Sequence, residues 1–270
     1  MKKYYLDTNV IIRLGNRILS PFIKENCYTS SLVIAELLKN LTKENFKGKK
    51  GTISNINSSE IKIDWRTIGE ILLNSFAIEK EDNLFQIDFI TKINFEALLK
   101  SESIDLYHEN RNDIFDAYHG INFPEKENGY KLRLDFQFNY LIDNLMSDYS
   151  QKSDKIIHSL IENMNKINGK EKLKFDTMKI KLLNSLKDLL FHNNKENILY
   201  DGKIDFFFKA LFYYSKNNLS VKKNDAFDLF HFLFINKGCI LISEDKLIKG
   251  ICNNNMNNNY MSYSNFNKYL

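Results

Sequence analysis

The sequence predicts an α/β fold with a central parallel sheet, and three observations point there. Short apolar strands alternate with helical stretches at the start of the chain. The same alternation returns at its end. Acidic residues recur where strands stop and helices begin, the edge at which open α/β sheets bind ligands.

The first element is Lys3 to Leu6, a buried strand that stops at Asp7. A helix follows from Thr8 to about Arg17, and Ser20-Pro21 opens another with proline in its first turn. Cys27-Tyr28-Thr29 reads as the second strand. Ser30 or Ser31 then caps one helix, SSLVIAELLKNLTKENF, whose Val33, Ile34, Leu37, Leu38 and Leu41 recur at helical spacing. Lys47 to Gly51 is expected to end it. From 52 to 220 the pattern is mostly helical, with stripes through Leu134–Tyr149, Ile156–Ile167 and Met178–Leu190. The α/β pattern resumes with KKNDAFDLFHFLFINKG, a helix with Asn224 or Asp225 near its start and Gly238 past its end. Cys239 to Ile242 is the next strand, and CNNNMNNN is read as a polar loop. YMSYSNFNKYL reads as a last strand and a short helix. This gives a core of 1–51 and 221–270 carrying a helical insertion of 52–220.

Composition narrows the function classes. With 43% hydrophobic residues in 270, a packed core is expected rather than a disordered chain. Two prolines and ten glycines leave few helix breakers. The net charge of +4 permits nucleic-acid binding without requiring it. Cys27, Cys239 and Cys252 form no CxxC pair, so neither a disulfide framework nor a zinc knuckle is expected, and a reducing, cytoplasmic setting is the default. Asp7 interrupts the N-terminal apolar stretch, which argues against a signal peptide, and no apolar run is long enough to span a membrane.

The candidate site follows from topology. Right-handed crossovers bring strand carboxyl ends and the amino ends of the following helices to one edge. Asp7 ends the first strand, and Asp245 lies just past a later one. Asp225 and Asp228 occupy the first turn of the helix before that later strand. Glu36 lies about five residues into its helix, about 7 Å from the edge at 1.5 Å per residue. Clustered carboxylates repel unless a positive charge sits among them, and all-oxygen donors suit Mg²⁺ or Mn²⁺. Such a site suits phosphoester chemistry.

YYLDTNVII, TSSLVIAELL and DAFDLFHFLFINKGCILISED resemble the successive motifs of the PIN-domain nucleases. The resemblance covers about 50 residues at each end and leaves the middle out. It implies a three-layer sandwich with a central parallel sheet, and a divalent-metal-dependent ribonuclease that leaves 5′-phosphate and 3′-hydroxyl ends. It carries the metal-binding and catalytic acids onto Asp7, Glu36, Asp228 and Asp245, with Asp225 either a helix cap or a further acid. Asn9 and Ser243 match the polar residues that orient those acids. Many bacterial relatives are toxins restrained by an antitoxin, or act in phage defence, and members often dimerise. RNA as substrate, a protein inhibitor and a homodimer are therefore expected on the family's account alone. No membrane partner is expected.

Other features weigh less. Lys39, Lys43, Lys47, Lys49 and Lys50 read as a solvated helix face, with Lys39 and Lys43 the nearest candidates for phosphate contacts. RNDIFDAYHGI echoes KNDAFDLFHFL, so Asp113, Asp116 and His119 form a second acidic grouping, which repeated capping in a biased composition explains better. His231 reads as a buried structural histidine, with an orienting role toward Asp228 as the functional alternative. The aromatic stretch Phe206–Tyr214 reads as core. Two rival functions remain: a non-catalytic nucleic-acid- or protein-binding module on a degenerate PIN fold, and a phosphatase with an aspartate nucleophile. The phosphatase usually wants Asp-x-Asp where this chain has Asp7-Thr8-Asn9.

Overall fold

The computed structural model describes residues 2–66, 87–119, 204–217, 225–235, 238–255 and 259–270. It also describes 68, 71, 75, 158, 160–162, 179–180, 183–184 and 219. Five parallel strands form one sheet, in the order β3-β2-β1-β4-β5: β1 Lys3–Leu6, β2 Cys27–Ser30, β3 Lys62–Asp64, β4 Cys239–Ile242 and β5 Tyr260–Met261. Helices α1 (Thr8–Leu14), α2 (Pro21–Asn26), α3 (Ser31–Leu38) and α4 (Lys43–Ser59) carry the chain from β1 through β2 to β3. Further on come α5 (Ile87–Lys100), α6 (Ile104–His119), α7 (Asp205–Lys216), α8 (Asp225–Phe230), α9 (Lys246–Asn255) and α10 (Tyr263–Phe266). The α/β class and parallel sheet match the sequence expectation.

The register positions the site. Leu6 pairs with Ile242, so Asp7 and Ser243 emerge side by side, and the Asp7 amide donates to the Ile242 carbonyl at 3.3 Å. From β1 the chain first builds outward through β2 to β3, then returns to β4 on the other flank of β1. The strand order therefore reverses between β1 and β4, the place at which open α/β sheets form a ligand-binding crevice. β1, β2 and β4 are buried on both faces beyond Lys3, as parallel strands covered by helices must be. Tyr5 stacks on Phe234 with centroids 6.2 Å apart, and Phe207, Phe208 and Tyr214 of α7 are buried, as expected for core aromatics.

Four local expectations change. The helix predicted through 31–47 breaks at Lys39–Thr42, where Asn40 has φ 55°. A capping box then starts α4: Thr42 Oγ1 accepts from the Asn45 amide, and Asn45 Oδ1 accepts from the Thr42 amide. α4 runs through Gly48 and Gly51 rather than stopping there. β3 extends the sheet to residue 64, past the expected boundary at 51. α9 continues into the Asn-rich stretch as far as Asn255. The described parts of 52–220 are otherwise mostly helical. Most of the apolar stripes between 134 and 190 lie outside the described residues, though Leu160 and Ile161 are buried.

Candidate functional site

Asp7 leaves β1 and becomes the N-cap of α1, its Oδ1 accepting from the Val10 amide at 2.8 Å. It is 2% exposed. Burial pushes its carboxyl upward, and a hydrogen bond from Ser243, the charge of His231 and the Val10 amide oppose that. Ser243 also accepts from the Asp245 amide at 3.0 Å, so one buried hydroxyl ties together the two acids that follow β1 and β4. Asp245 caps α9, its Oδ1 accepting from Leu247 at 2.7 Å and Ile248 at 3.0 Å. Two carboxylates, Asp7 and Asp245, thus gain their places from backbone events at one sheet edge.

Glu36 reaches the crevice from α3. Burial opposes its ionisation, but His231 and the Thr8 hydroxyl outweigh that and hold the carboxyl below its ordinary value. Asp228, in the first turn of α8, is pushed up to about 7. Burial is the main cause; His231 pulls it down, while Asp245, Glu36 and Asp225 push it further up. Asp225 begins α8 beside the buried Tyr214 hydroxyl, which burial and that carboxylate push upward. The five acids therefore interact electrostatically across one crevice, with His231 as the buried group opposing their repulsion.

The donor chemistry fits a hard divalent cation: carboxylates dominate, and Asp228 bears the strain of its neighbours' charge. Among the described residues, however, no three His, Cys, Asp or Glu side chains stand close enough together to hold a metal ion as they are placed. Comparison with protein-family models, with curated proteins and with solved structures finds no match.

The predicted orienting residues divide. Ser243 is buried and bonded to the acids, whereas Asn9 is exposed and makes no hydrogen bond to them among the described residues. Thr8 takes the place expected of Asn9, its hydroxyl donating to Glu36 Oε2. His231 is buried but contacts Glu36 directly, with Nε2 3.4 Å from Oε2, and so bears on Glu36 more closely than on Asp228. Asp64, at the end of β3, was not singled out from the sequence. It belongs to the same edge, but Arg66 neutralises it in a two-point contact at 2.9 and 2.6 Å.

The basic residues spread out. Lys39 lies 5.0 Å from the Phe227 ring centroid, and exposed Lys43 stands 3.9 Å from Asp105. Lys49 and Lys50 turn onto the carbonyls of Lys39 and Ser101. The echoed Asp113 lies exposed in the middle of α6, whereas its counterpart Asp225 begins α8, which fits the capping explanation poorly. The side chains of Asp116 and His119 lie outside the described residues. A cleft of about 690 Å³ opens at β5, lined by Lys249, Tyr260, Met261, Asn265, Lys268 and Tyr269. It adjoins the acids, because the Tyr260 hydroxyl donates to the Ser243 carbonyl at 3.1 Å. Cys27, Cys239 and Cys252 are free and buried, and no described helix is long and apolar enough to cross a membrane.

Proposed function

We propose that this chain is a divalent-metal-dependent endoribonuclease of PIN type. The observation that carries the reading is the convergence of Asp7, Glu36, Asp228 and Asp245 on the crevice where the strand order reverses. Those four would hold Mg²⁺ or Mn²⁺, with Asp225 at the margin. When bound, such a cation supplies charge that lowers the pKa of water and stabilises negative charge building on the phosphate. The chain's own residues supply orientation. Ser243 and the Val10 amide fix Asp7, the α9 amides fix Asp245, and Thr8 and His231 fix Glu36. In the reaction a water oxygen bonds to phosphorus and the bond to the 3′ oxygen breaks. The displaced oxygen takes up a proton, leaving 5′-phosphate and 3′-hydroxyl ends.

The Lys249–Lys268 cleft gives a strand a cationic approach to the acids, since none of its described lining residues is a carboxylate. Three-layer packing, a PIN core with a helical insertion, homodimerisation, and a toxin or phage-defence role under a protein inhibitor extend this reading by family resemblance. A non-catalytic binding module on the same fold is the second reading. The failure of three described side chains to close on a point favours it.

Digestion of pooled cellular RNA with Mn²⁺ or Mg²⁺ separates the two. Discrete fragments with 5′-phosphate ends, lost in EDTA and in Asp7→Asn, support the nuclease. RNA bound but uncut by the wild type supports the binding module.

A further inference from the structure

Glu36 carries a long side chain with several free rotations, and it sits on α3 rather than at a strand end. Neither a strand register nor a helix cap fixes its carboxylate, unlike those of Asp7 and Asp245. Something else must pay the entropy of holding it. Among the described residues two groups hold it by hydrogen bond or ion pair, and both do so at Oε2: the Thr8 hydroxyl and His231 Nε2. Neither takes Oε1.

His231 is itself held from behind. Its Nδ1 lies 2.8 Å from the Tyr5 hydroxyl, which lies 2.7 Å from Ser30 Oγ. Ser30 Oγ in turn accepts from the Val33 amide at the start of α3. Tyr5, Ser30 and His231 are all almost wholly buried. The chain of contacts thus runs from β2 through β1 to the turn after α8 and ends on α3, joining residues up to 226 apart in sequence.

The donor order follows from the ends of this chain. With Ser30 Oγ accepting from the Val33 amide, its hydrogen is free for the Tyr5 oxygen. At the other end the ionised Glu36 carboxylate can only accept, so neutral His231 carries its proton on Nε2, which leaves Nδ1 to accept from the Tyr5 hydroxyl and the Tyr5 oxygen to accept from Ser30. In charged His231 both ring nitrogens donate. Nε2 is a donor toward Glu36 in either state.

We infer that His231, fixed by Tyr5 and Ser30, is the positioning residue for Glu36. It holds Oε2 so that the rest of the carboxylate is presented to a cation in the crevice. The inference rests on the metal-dependent reading of the site.

The test is calorimetric titration of the full chain with Mn²⁺ alone, beside urea denaturation of each variant. His231→Gln keeps a donor near the place of Nε2, whereas His231→Asn keeps one only near Nδ1. Partners that orient metal ligands are typically worth ~10–100-fold in affinity. His231→Asn should therefore weaken Mn²⁺ binding at least ~10-fold, and His231→Gln should stay within about 3-fold of wild type, at similar cost to stability. Equal Mn²⁺ affinity in His231→Asn and wild type, with stability alone reduced, overturns the inference. Should His231→Asn not fold, Tyr5→Phe decides. It cuts the link to Nδ1 while keeping the ring, and wild-type Mn²⁺ affinity in that variant overturns the inference too. A wild-type chain that takes up no Mn²⁺ overturns the nuclease reading and the inference together.

Discussion

Replacing Asp228 by asparagine should stabilise the metal-free protein at neutral pH and above while ending its activity. Asp228 is pushed from its ordinary 3.8 to about 7, by burial first and then by Asp245, Glu36 and Asp225 against the pull of His231. A folded carboxyl with a raised pKa binds its proton more tightly than the unfolded chain does. Wild-type stability therefore falls as pH rises from about 4 through 7 and levels off above. At ~1.4 kcal/mol for each pH unit, the ceiling is about 4 kcal/mol. Partial solvent access and the coupling of the acids reduce this, so a gain of ~1–3 kcal/mol at pH 8 is expected. For a chain of this size that is about 2–4 °C in melting temperature per kcal/mol. Urea denaturation in EDTA at pH 5, 6, 7 and 8 measures it. The gap between Asp228→Asn and wild type should be smallest at pH 5, where less than half of it has developed, and widen toward pH 8. A variant less stable than wild type at pH 8, or an offset unchanged across the series, would refute the reasoning. Adding Mn²⁺ should reverse the order, because only the wild type then gains stability from binding.

Asp245→Ala removes both a site charge and the cap of α9, so it should cost about 1 kcal/mol of stability as well as activity. Asp245→Asn retains the cap and should lose activity alone, which denaturation and cleavage assays on the pair will distinguish. Lys249→Ala with Lys268→Ala, in an Asp7→Asn background, should weaken binding of single-stranded RNA and flatten its salt dependence by about one unit of slope per lysine. An unchanged slope, read by fluorescence anisotropy, removes the cleft from the substrate's path.

The strands and the acids at their ends were legible because both are local. A run such as Cys239 to Ile242 is apolar throughout, and Asp7, Ser30 and Asp245 announce helix starts by residue type. The break at Lys39–Thr42 carried a signal too. Thr42 and Asn45 have capping-box spacing, but the apolar period of Leu37, Leu38 and Leu41 ran across it. β3 has three residues, too few to show alternation, and it owes its place to pairing with β2. Asn9 was expected to orient the acids, yet α1 turns it to solvent while Thr8 meets Glu36. The contacts of His231 with Tyr5 and Glu36 had no local signal. They depend on β1, α3 and the turn after α8 meeting in three dimensions.

The most direct test of the central claim is an anomalous difference map from crystals of the full chain equilibrated with saturating Mn²⁺. A metal peak bounded by Asp7, Glu36, Asp228 and Asp245 is the predicted result, with small side-chain rotations closing the acids around it. Mn²⁺ bound elsewhere, or no peak at all beside ordered acids, would contradict it.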